Sequence, residues 1–249
     1  MSTVPQVEFN RSAVRPVECV KGGWNLIREQ YWLILGMCII GLMIGSAVPF
    51  GILMAPMMCG LFITFFAMRR GQPIEFGTLF KGFEHFKQSV FATLLHAVPI
   101  TVILIGAYIL FYVFFLFAIV AQGGREPNPA AMMGVFAFYG LFWVVMIFVI
   151  MFISIGFMFV YPLIVERRLP WLEAVKMSFR AAMANFWGLL GLMLLNFVLS
   201  IAGLFLCIVG VYLVLPISYS AIAIAYEQVF GLREGPVPPN TPPPPPVFT

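Results

Sequence analysis

The sequence predicts an all-α, polytopic membrane protein, in which six transmembrane helices form three hairpins and each hairpin follows an amphipathic elbow helix. Three observations predict this fold. Apolar residues make up 62% of the 249 residues and charged residues only 10%, against roughly 45–50% and 25% in soluble domains. Apolar runs long enough to cross a bilayer recur along the chain. Basic residues concentrate between these runs on one predicted side of the membrane.

The first unit follows a polar stretch, residues 1–10, that we expect to be disordered. Its elbow is predicted by apolar side chains that recur at helical spacing beside basic ones. The apolar set is Val17, Val20, Trp24 and Ile27, and the basic pair is Lys21 and Arg28. Two apolar segments follow, 31–48 and 52–68, each near the lower limit of about 17 residues for a span. Gly41 and Gly45 form a GxxxG pair, which predicts close helix contact.

The second unit begins with a polar and aromatic connector, residues 69–88, that holds an elbow between Phe76 and Phe86. Two long spans, 89–120 and 131–165, are joined by a loop rich in Gly and Pro. At 1.5 Å per residue these spans extend roughly 48–52 Å, beyond a hydrocarbon core of about 30 Å. They must therefore tilt, kink or protrude, and Pro99 and Pro162 are the predicted kink sites.

In the third unit, Pro170 suits a helix start, and the segment after it has one apolar and one charged side. The apolar side is Leu172, Val175, Phe179, Met183 and Phe186, and the charged side is Glu173, Lys176 and Arg180. Spans 188–209 and 211–230 follow, with a tight turn between Cys207 and Gly210. Placing Lys21 over Lys176 also aligns Tyr31 with Phe186 and Trp32 with Trp187, which predicts an internal repeat.

Charge placement predicts the topology. Of the 14 Lys and Arg residues, thirteen fall on the proposed cytoplasmic side and only Arg125 falls outside. Both termini are then cytoplasmic, residues 11–230 form a single membrane domain, and the Pro-rich tail 231–249 is a disordered polyproline II segment. The predicted lipid-headgroup contacts are Lys21, Arg28, Arg69, Arg70, Lys81, Lys87, Arg167, Arg168, Lys176 and Arg180. The predicted interfacial aromatics are Trp24, Tyr31, Trp32, Trp171, Phe186 and Trp187.

Residues 160–231 carry a pattern of aromatic and small residues. It consists of Tyr161-Pro162, Glu166, Pro170-Trp171, Glu173-Ala174, Ser178, Asn185-Phe186-Trp187, Gly188-Leu189-Leu190-Gly191, Gly203, Cys207, Gly210, Leu215-Pro216, Ala225-Tyr226 and Phe230-Gly231. The pattern resembles the bacterial inner-membrane proteins of the YciC and DUF975 type, which are similar to the membrane domain of some glycerophosphodiester phosphodiesterases. The resemblance, looser over residues 20–95, implies a six-helix protein of the bacterial cytoplasmic membrane without the catalytic barrel domain.

Few polar residues lie within the predicted spans. His96 is expected to bond a backbone carbonyl near Pro99, and Asn196 and Ser200 are expected to join helices, with substrate contact as the alternative for all three. Glu166 and Glu227 are expected to form interfacial ion pairs. The sulfur side chains are interpreted as packing and free thiols, with a Cu(I) site as the alternative. These side chains are Met37, Cys38, Met43, Met54, Met57, Met58 and Cys59.

The sequence favours a non-enzymatic protein that organises membrane lipids, chiefly anionic ones, or protein partners. A second copy of the same chain is among these partners. The alternative is a transporter or lipid-translocating permease with a polar cavity around His96 and Asn196. An intramembrane enzyme is disfavoured because the chain has no HExxH or GxSxG motif and only two histidines. We expect no cofactor, no metal and no nucleic-acid partner.

Overall fold

Helices account for every regular element in the computed structural model, which describes residues 9–48, 51–121, 129–205 and 208–232. The α-helices are α1 (Pro16–Ile27), α2 (Tyr31–Ser46), α3 (Met54–Arg69), α4 (Phe86–Ala121), α5 (Pro129–Phe157), α6 (Val160–Arg167), α7 (Trp171–Ala184), α8 (Phe186–Phe205) and α9 (Ile208–Phe230). Two 3-10 segments, Arg28–Gln30 and Phe76–His85, precede α2 and α4. The turn at Pro49, the loop with Arg125, the turn at Cys207 and most of both predicted disordered termini lie outside the described residues.

Five helical stretches of the described chain are long and apolar enough to cross a membrane, which confirms a multi-pass helical protein. The stretches are Pro16–Ser46, Phe76–Phe117, Met132–Arg167, Phe186–Phe205 and Val209–Phe230. The sequence predicted six spans. The difference arises in the first unit, because α2 and α3 have 16 residues each, which is only about 24 Å of helix. With α1 and the 3-10 turn, α2 becomes long enough to span, whereas α3 stays short.

The first and third units begin alike. Pro16 and Trp171, which open α1 and α7, are 155 residues apart, and so are Tyr31 and Phe186, which open α2 and α8. Burial repeats at the same offset. Cys19, Gly23 and Ile27 are buried, and so are Ala174, Ser178 and Ala182, while Trp32 and Trp187 are both exposed. The described structure therefore carries the repeat that the alignment of Lys21 with Lys176 predicted.

The two elbows α1 and α7 bury only part of their predicted apolar faces. In α1 the predicted apolar residues Val17 and Trp24 are exposed, and in α7 Leu172 and Met183 are exposed. Ile27 and Val175 of these faces are buried. Both helices also pack through smaller buried residues, such as Gly23 in α1 and Ala174 in α7, which lets helix backbones approach closely. Periodicity located the two helices, and each helix exposes bulky members of the apolar face that it identified.

Helix α1 runs antiparallel to α9. The Arg15 backbone N–H donates to Gln228 Oε1 at 3.0 Å, and sixteen residues further on the Tyr31 hydroxyl donates to the Leu213 carbonyl at 2.6 Å. The sequence predicted that α1 is an amphipathic elbow ahead of the first span. In the structure it follows α9 and continues through the 3-10 turn into α2, so it belongs to the helix bundle.

The predicted fourth span is divided into α5 and α6 at Met158-Phe159, ahead of the predicted kink at Pro162. Pro162 lies in the first turn of α6, where a missing N–H leaves no hydrogen bond unmade. Ser178 of α7 binds the backbone groups freed by the break. Its hydroxyl donates to the Gly156 carbonyl at 2.6 Å and accepts from the Phe159 N–H at 3.2 Å. A side chain from another helix thus stabilises the interruption.

Aromatic and aliphatic side chains fill the centre where the units meet. The largest fully buried residues include Phe62, Phe65, Phe66, Phe159 and Tyr226. By contrast, the distal half of α4 beyond Ala107 and the facing part of α5 are largely exposed. They pack against each other, with the Phe111 and Tyr139 rings 3.8 Å apart. An apolar helix pair therefore extends from a packed core that contains the buried polar groups described next.

Candidate membrane-interface site

The ends of α3, α6 and α9 meet on one side of the core, and a residue with left-handed backbone geometry follows each of them. These residues are Gly71 (φ 66°), Arg168 (φ 52°) and Gly231 (φ 66°). Glycine adopts this geometry readily, whereas it is uncommon for a residue as large as arginine. The three helix ends are the last helical residues of the three units, so the units converge here.

Charged side chains join these helix ends in pairs. Arg69 donates to Glu227 through Nε at 2.7 Å and Nη2 at 2.5 Å, which links α3 to α9. Arg70 donates to Glu166, which links α3 to α6. Arg167 donates to the Phe230 carbonyl at 2.7 Å, which links α6 to α9. We call this set of residues, Arg69, Arg70, Glu166, Arg167 and Glu227, the clasp. It closes a triangle between the three units.

The two ion pairs of the clasp differ in burial. The side chains of Glu166 and Arg70 are 4% and 26% exposed, whereas those of Glu227 and Arg69 are 26% and 40% exposed. The carboxylates predicted to form interfacial ion pairs do so, and the partner of Glu166 is Arg70, which directly follows α3. Because both carboxylates pair with arginines and Arg167 bonds a backbone carbonyl, the clasp is suited to holding the units together.

The predicted headgroup contacts fall into two groups. The guanidinium groups of Arg69, Arg70 and Arg167 bond within the clasp. The others are exposed: Lys21, Arg28, Lys81, Lys87, Arg168, Lys176 and Arg180. The second group is spread over several elements and includes Lys21 of α1 and Lys176 and Arg180 of α7. In the first group, Arg69 is partly exposed but is paired with Glu227.

The predicted interfacial aromatics also vary in exposure. Trp32 and Trp187 are the most exposed, and Trp24 is exposed as well. Phe186 is half-buried and its ring lies 5.6 Å from that of Trp187. Trp171 stacks on Phe91 at 5.9 Å, and Tyr31 uses its hydroxyl on α9. Trp32 and Trp187, the second residues of α2 and α8, are therefore exposed at equivalent places in the repeat.

The intramembrane polar residues lie on different helices. The His96 ring of α4 packs on Phe157 with centroids 4.6 Å apart, and its Nε2 is buried without a hydrogen-bond partner among the described residues. Asn196 Oδ1 of α8 is likewise buried and unpartnered in the described chain. Ser200 donates to the Asn196 carbonyl at 2.9 Å within α8. The expected bond from His96 to a carbonyl is not made through Nε2, and α4 and α8 are not neighbours in the packing.

Sulfur side chains of α2 and α3 come together around a cavity of about 10 Å³, lined among others by Met37, Cys38, Met54, Met57 and Met58. A void of this size holds about one water molecule. Of the remaining predicted members, Cys59 is buried and Met43 is exposed. Gly41 lines the same cavity, so the GxxxG pair lies at the contact between α2 and α3. The arrangement accounts for the methionines as packing, and the Cu(I) alternative stays untested.

Sequence reasoning gave no role to several buried polar residues. Asn185, between α7 and α8, accepts from the Ala13 N–H at 2.8 Å and donates to the Asn10 carbonyl at 3.0 Å, so it fixes the N-terminal segment. The hydroxyls of Thr93 and Tyr161 lie 2.8 Å apart and join α4 to α6. Each of these residues is polar and stands in or beside an apolar stretch, which could have marked it as buried. Its hydrogen-bond partners could not be predicted, because they lie far away along the chain.

Comparisons of this chain with protein-family models, with curated proteins and with solved structures found no match.

Proposed function

We propose that this chain is a non-enzymatic, multi-pass protein of the bacterial cytoplasmic membrane that organises anionic lipids around its basic face. Six helices enter the bilayer as three hairpins from the cytoplasmic side, α3 as a short arm, and both termini are cytoplasmic. The observation that carries the proposal is the division of the basic residues. Of the ten predicted headgroup residues, three bond within the clasp, while the other seven are exposed, several of them near exposed aromatic residues in the chain.

Exposed cations next to exposed aromatics match the chemistry of a membrane interface. Lys and Arg attract anionic headgroups, and Trp side chains favour the headgroup level. On α7, Lys176 and Arg180 are exposed together with Leu172 and Met183, and Trp187 follows one residue into α8. One elbow thus offers charge to headgroups and apolar surface to acyl chains.

The filled centre supports an organising role over transport. Buried Phe62, Phe65, Phe66 and Tyr226 occupy the space that a transport pathway would need. The buried polar atoms of His96 and Asn196 are the observation that favours the alternative, a transporter or lipid-translocating permease. In that case His96→Ala would change the flux of a solute or lipid through reconstituted vesicles, and unchanged flux would count against it.

The lipid proposal is tested by tryptophan quenching in vesicles that contain brominated phosphatidylglycerol or brominated phosphatidylcholine. Wild-type protein is expected to be quenched more strongly by the anionic lipid. Lys176→Glu with Arg180→Glu should abolish this preference, because each basic residue near the surface contributes about 1 kcal/mol. Lys176→Arg with Arg180→Lys keeps both charges and is the matched control. A preference that survives the charge reversal refutes the proposal.

The topology has its own test. A cysteine introduced at Arg125 should react with a membrane-impermeant reagent added outside the cell, and a tag on the Pro-rich C-terminus should be cleaved only from the cytoplasmic side. The opposite pattern would overturn the arrangement of three hairpins.

A further inference from the structure

The 3-10 segment Phe76–His85 is unusually long for its type and is fixed against α3. Runs of 3-10 helix rarely exceed three or four residues. A Cβ atom on Gly60 would overlap the Leu79 carbonyl, and one on Gly82 would overlap the Pro56 carbonyl. The segment therefore lies in direct backbone contact with α3 and its position is closely defined.

Three residues per turn divide the exposed surface of this segment into two stripes. Phe80 and Phe83 are exposed on one stripe and are continued by Phe86, whose ring stacks on Phe83 at 6.2 Å and 8°. Lys81 and Glu84 are exposed on the other, together with Lys87 at the start of α4. Exposed phenylalanine side chains beside exposed charged side chains are the surface expected at the boundary between acyl chains and headgroups.

A cavity of about 200 Å³ opens between the charged stripe and the clasp. Its polar lining includes Arg70, Lys81, Glu84, His85, Glu166 and Arg168. Arg70 and Glu166 bond each other, so that their charges offset. The two cations Lys81 and Arg168 and the carboxylate of Glu84 remain to meet a ligand, and both Glu84 and Arg168 act electrostatically on His85. Arg168 lines the cavity from a backbone position with left-handed geometry.

Two cations and one carboxylate suit a ligand that carries both signs of charge. We propose that the cavity binds the phosphoethanolamine headgroup of a membrane phospholipid. The phosphate lies between Lys81 and Arg168, and the ammonium group donates to Glu84. The acyl chains leave past Phe80 and Phe83, which favours a lipid over a soluble phosphate ester. This assignment goes beyond the proposed function, since it names one zwitterionic lipid at one site apart from the general basic face.

The test measures lipid retained by the full-length protein in detergent, by native mass spectrometry. Phosphatidylethanolamine, phosphatidylglycerol and phosphatidylcholine with identical acyl chains are compared. Wild type should retain phosphatidylethanolamine best, because only its primary ammonium combines positive charge with three donors. Glu84→Gln should lower that retention about fivefold without lowering that of phosphatidylglycerol. Arg168→Asn, which tolerates left-handed geometry, should lower both about fivefold.

Glu29→Gln, at an exposed carboxylate outside the cavity, is the matched control and should change neither lipid. A preference for phosphatidylethanolamine that persists in Glu84→Gln overturns the assignment. Equal competition by soluble glycerophosphoethanolamine, with no effect of Phe83→Ser, would assign the cavity to a free headgroup and overturn the lipid source. Tryptophan quenching of the Lys176 and Arg180 variants is read separately, so failure of the cavity and failure of the proposed function are distinguishable.

Discussion

Replacement of Glu166 by glutamine should destabilise the protein more than replacement of Glu227, although both changes remove one carboxylate from the clasp. The Glu166 side chain is 4% exposed, so Arg70 would lose a charged partner where water reaches it poorly. Breaking a buried pair by removing one partner costs about 3–5 kcal/mol, and the 26% exposure of Arg70 lowers our expectation to about 2–3 kcal/mol.

At Glu227 the cost should be about 1 kcal/mol, the upper end of the range for exposed pairs, because its bond to Arg69 is bidentate but partly exposed. For a chain of this size, 1 kcal/mol shifts the melting temperature by about 2–4 °C. Glu166→Gln should therefore melt about 4–12 °C below wild type and Glu227→Gln about 2–4 °C below, when thermal unfolding is followed in one detergent at one pH.

A double variant separates the charge from the loss of packing. Arg70→Met with Glu166→Leu removes both charges and keeps similar volume, so it should be more stable than Glu166→Leu alone. The reasoning is refuted if the double variant is the less stable of the two, or if Glu166→Gln and Glu227→Gln melt at the same temperature.

Three further predictions address packing and buried polar groups, each measured by the same thermal assay. Gly60→Ala should displace the 3-10 segment and clearly lower the melting temperature. Gly77→Ala is the control and should be nearly neutral, because nothing lies within 4 Å of the added methyl group. Equal effects of the two substitutions would contradict the backbone contact between the 3-10 segment and α3. Ser178→Ala should lower the free energy of unfolding by about 1–3 kcal/mol, because it leaves the Gly156 carbonyl and the Phe159 N–H without their hydrogen-bond partner at the break between α5 and α6. Ser200→Ala, which removes a bond inside a single helix, is its control and should cost little. His96→Phe should leave the melting temperature unchanged or raise it, because it removes a buried nitrogen that has no partner in the described chain and keeps an aromatic ring against Phe157. A large loss of stability would show that the imidazole makes a hydrogen bond that the fold needs.

Hydropathy and helical periodicity located most helices to within a few residues. The starts of α2 and α8 at Tyr31 and Phe186 follow from the aromatic residues that open apolar runs. The repeat was visible in the alignment of Lys21 with Lys176, and the burial of Gly23 and Ser178 extends it. These features are local, because a helix of apolar residues satisfies its own backbone hydrogen bonds wherever the segment lies.

Some errors came from treating a segment without its neighbours. The break before Pro162 was assigned to the proline, whereas the stabilising group is the Ser178 hydroxyl, about twenty residues later. The elbow Phe76–His85 was expected to be amphipathic, and it is, but contact with α3 holds it as a 3-10 helix. In each case the deciding contact crosses between units.

The sequence by itself determined that the chain is helical, apolar enough for a membrane, and marked along its length by basic and aromatic residues. Only the tertiary structure decided which charges are matched. It paired Arg69 with Glu227 and Arg70 with Glu166, and it left Lys81, Glu84 and Arg168 around one cavity. The physical reason is that helix formation depends on bonds a few residues apart, whereas a charge is matched or left exposed by groups that only packing brings close.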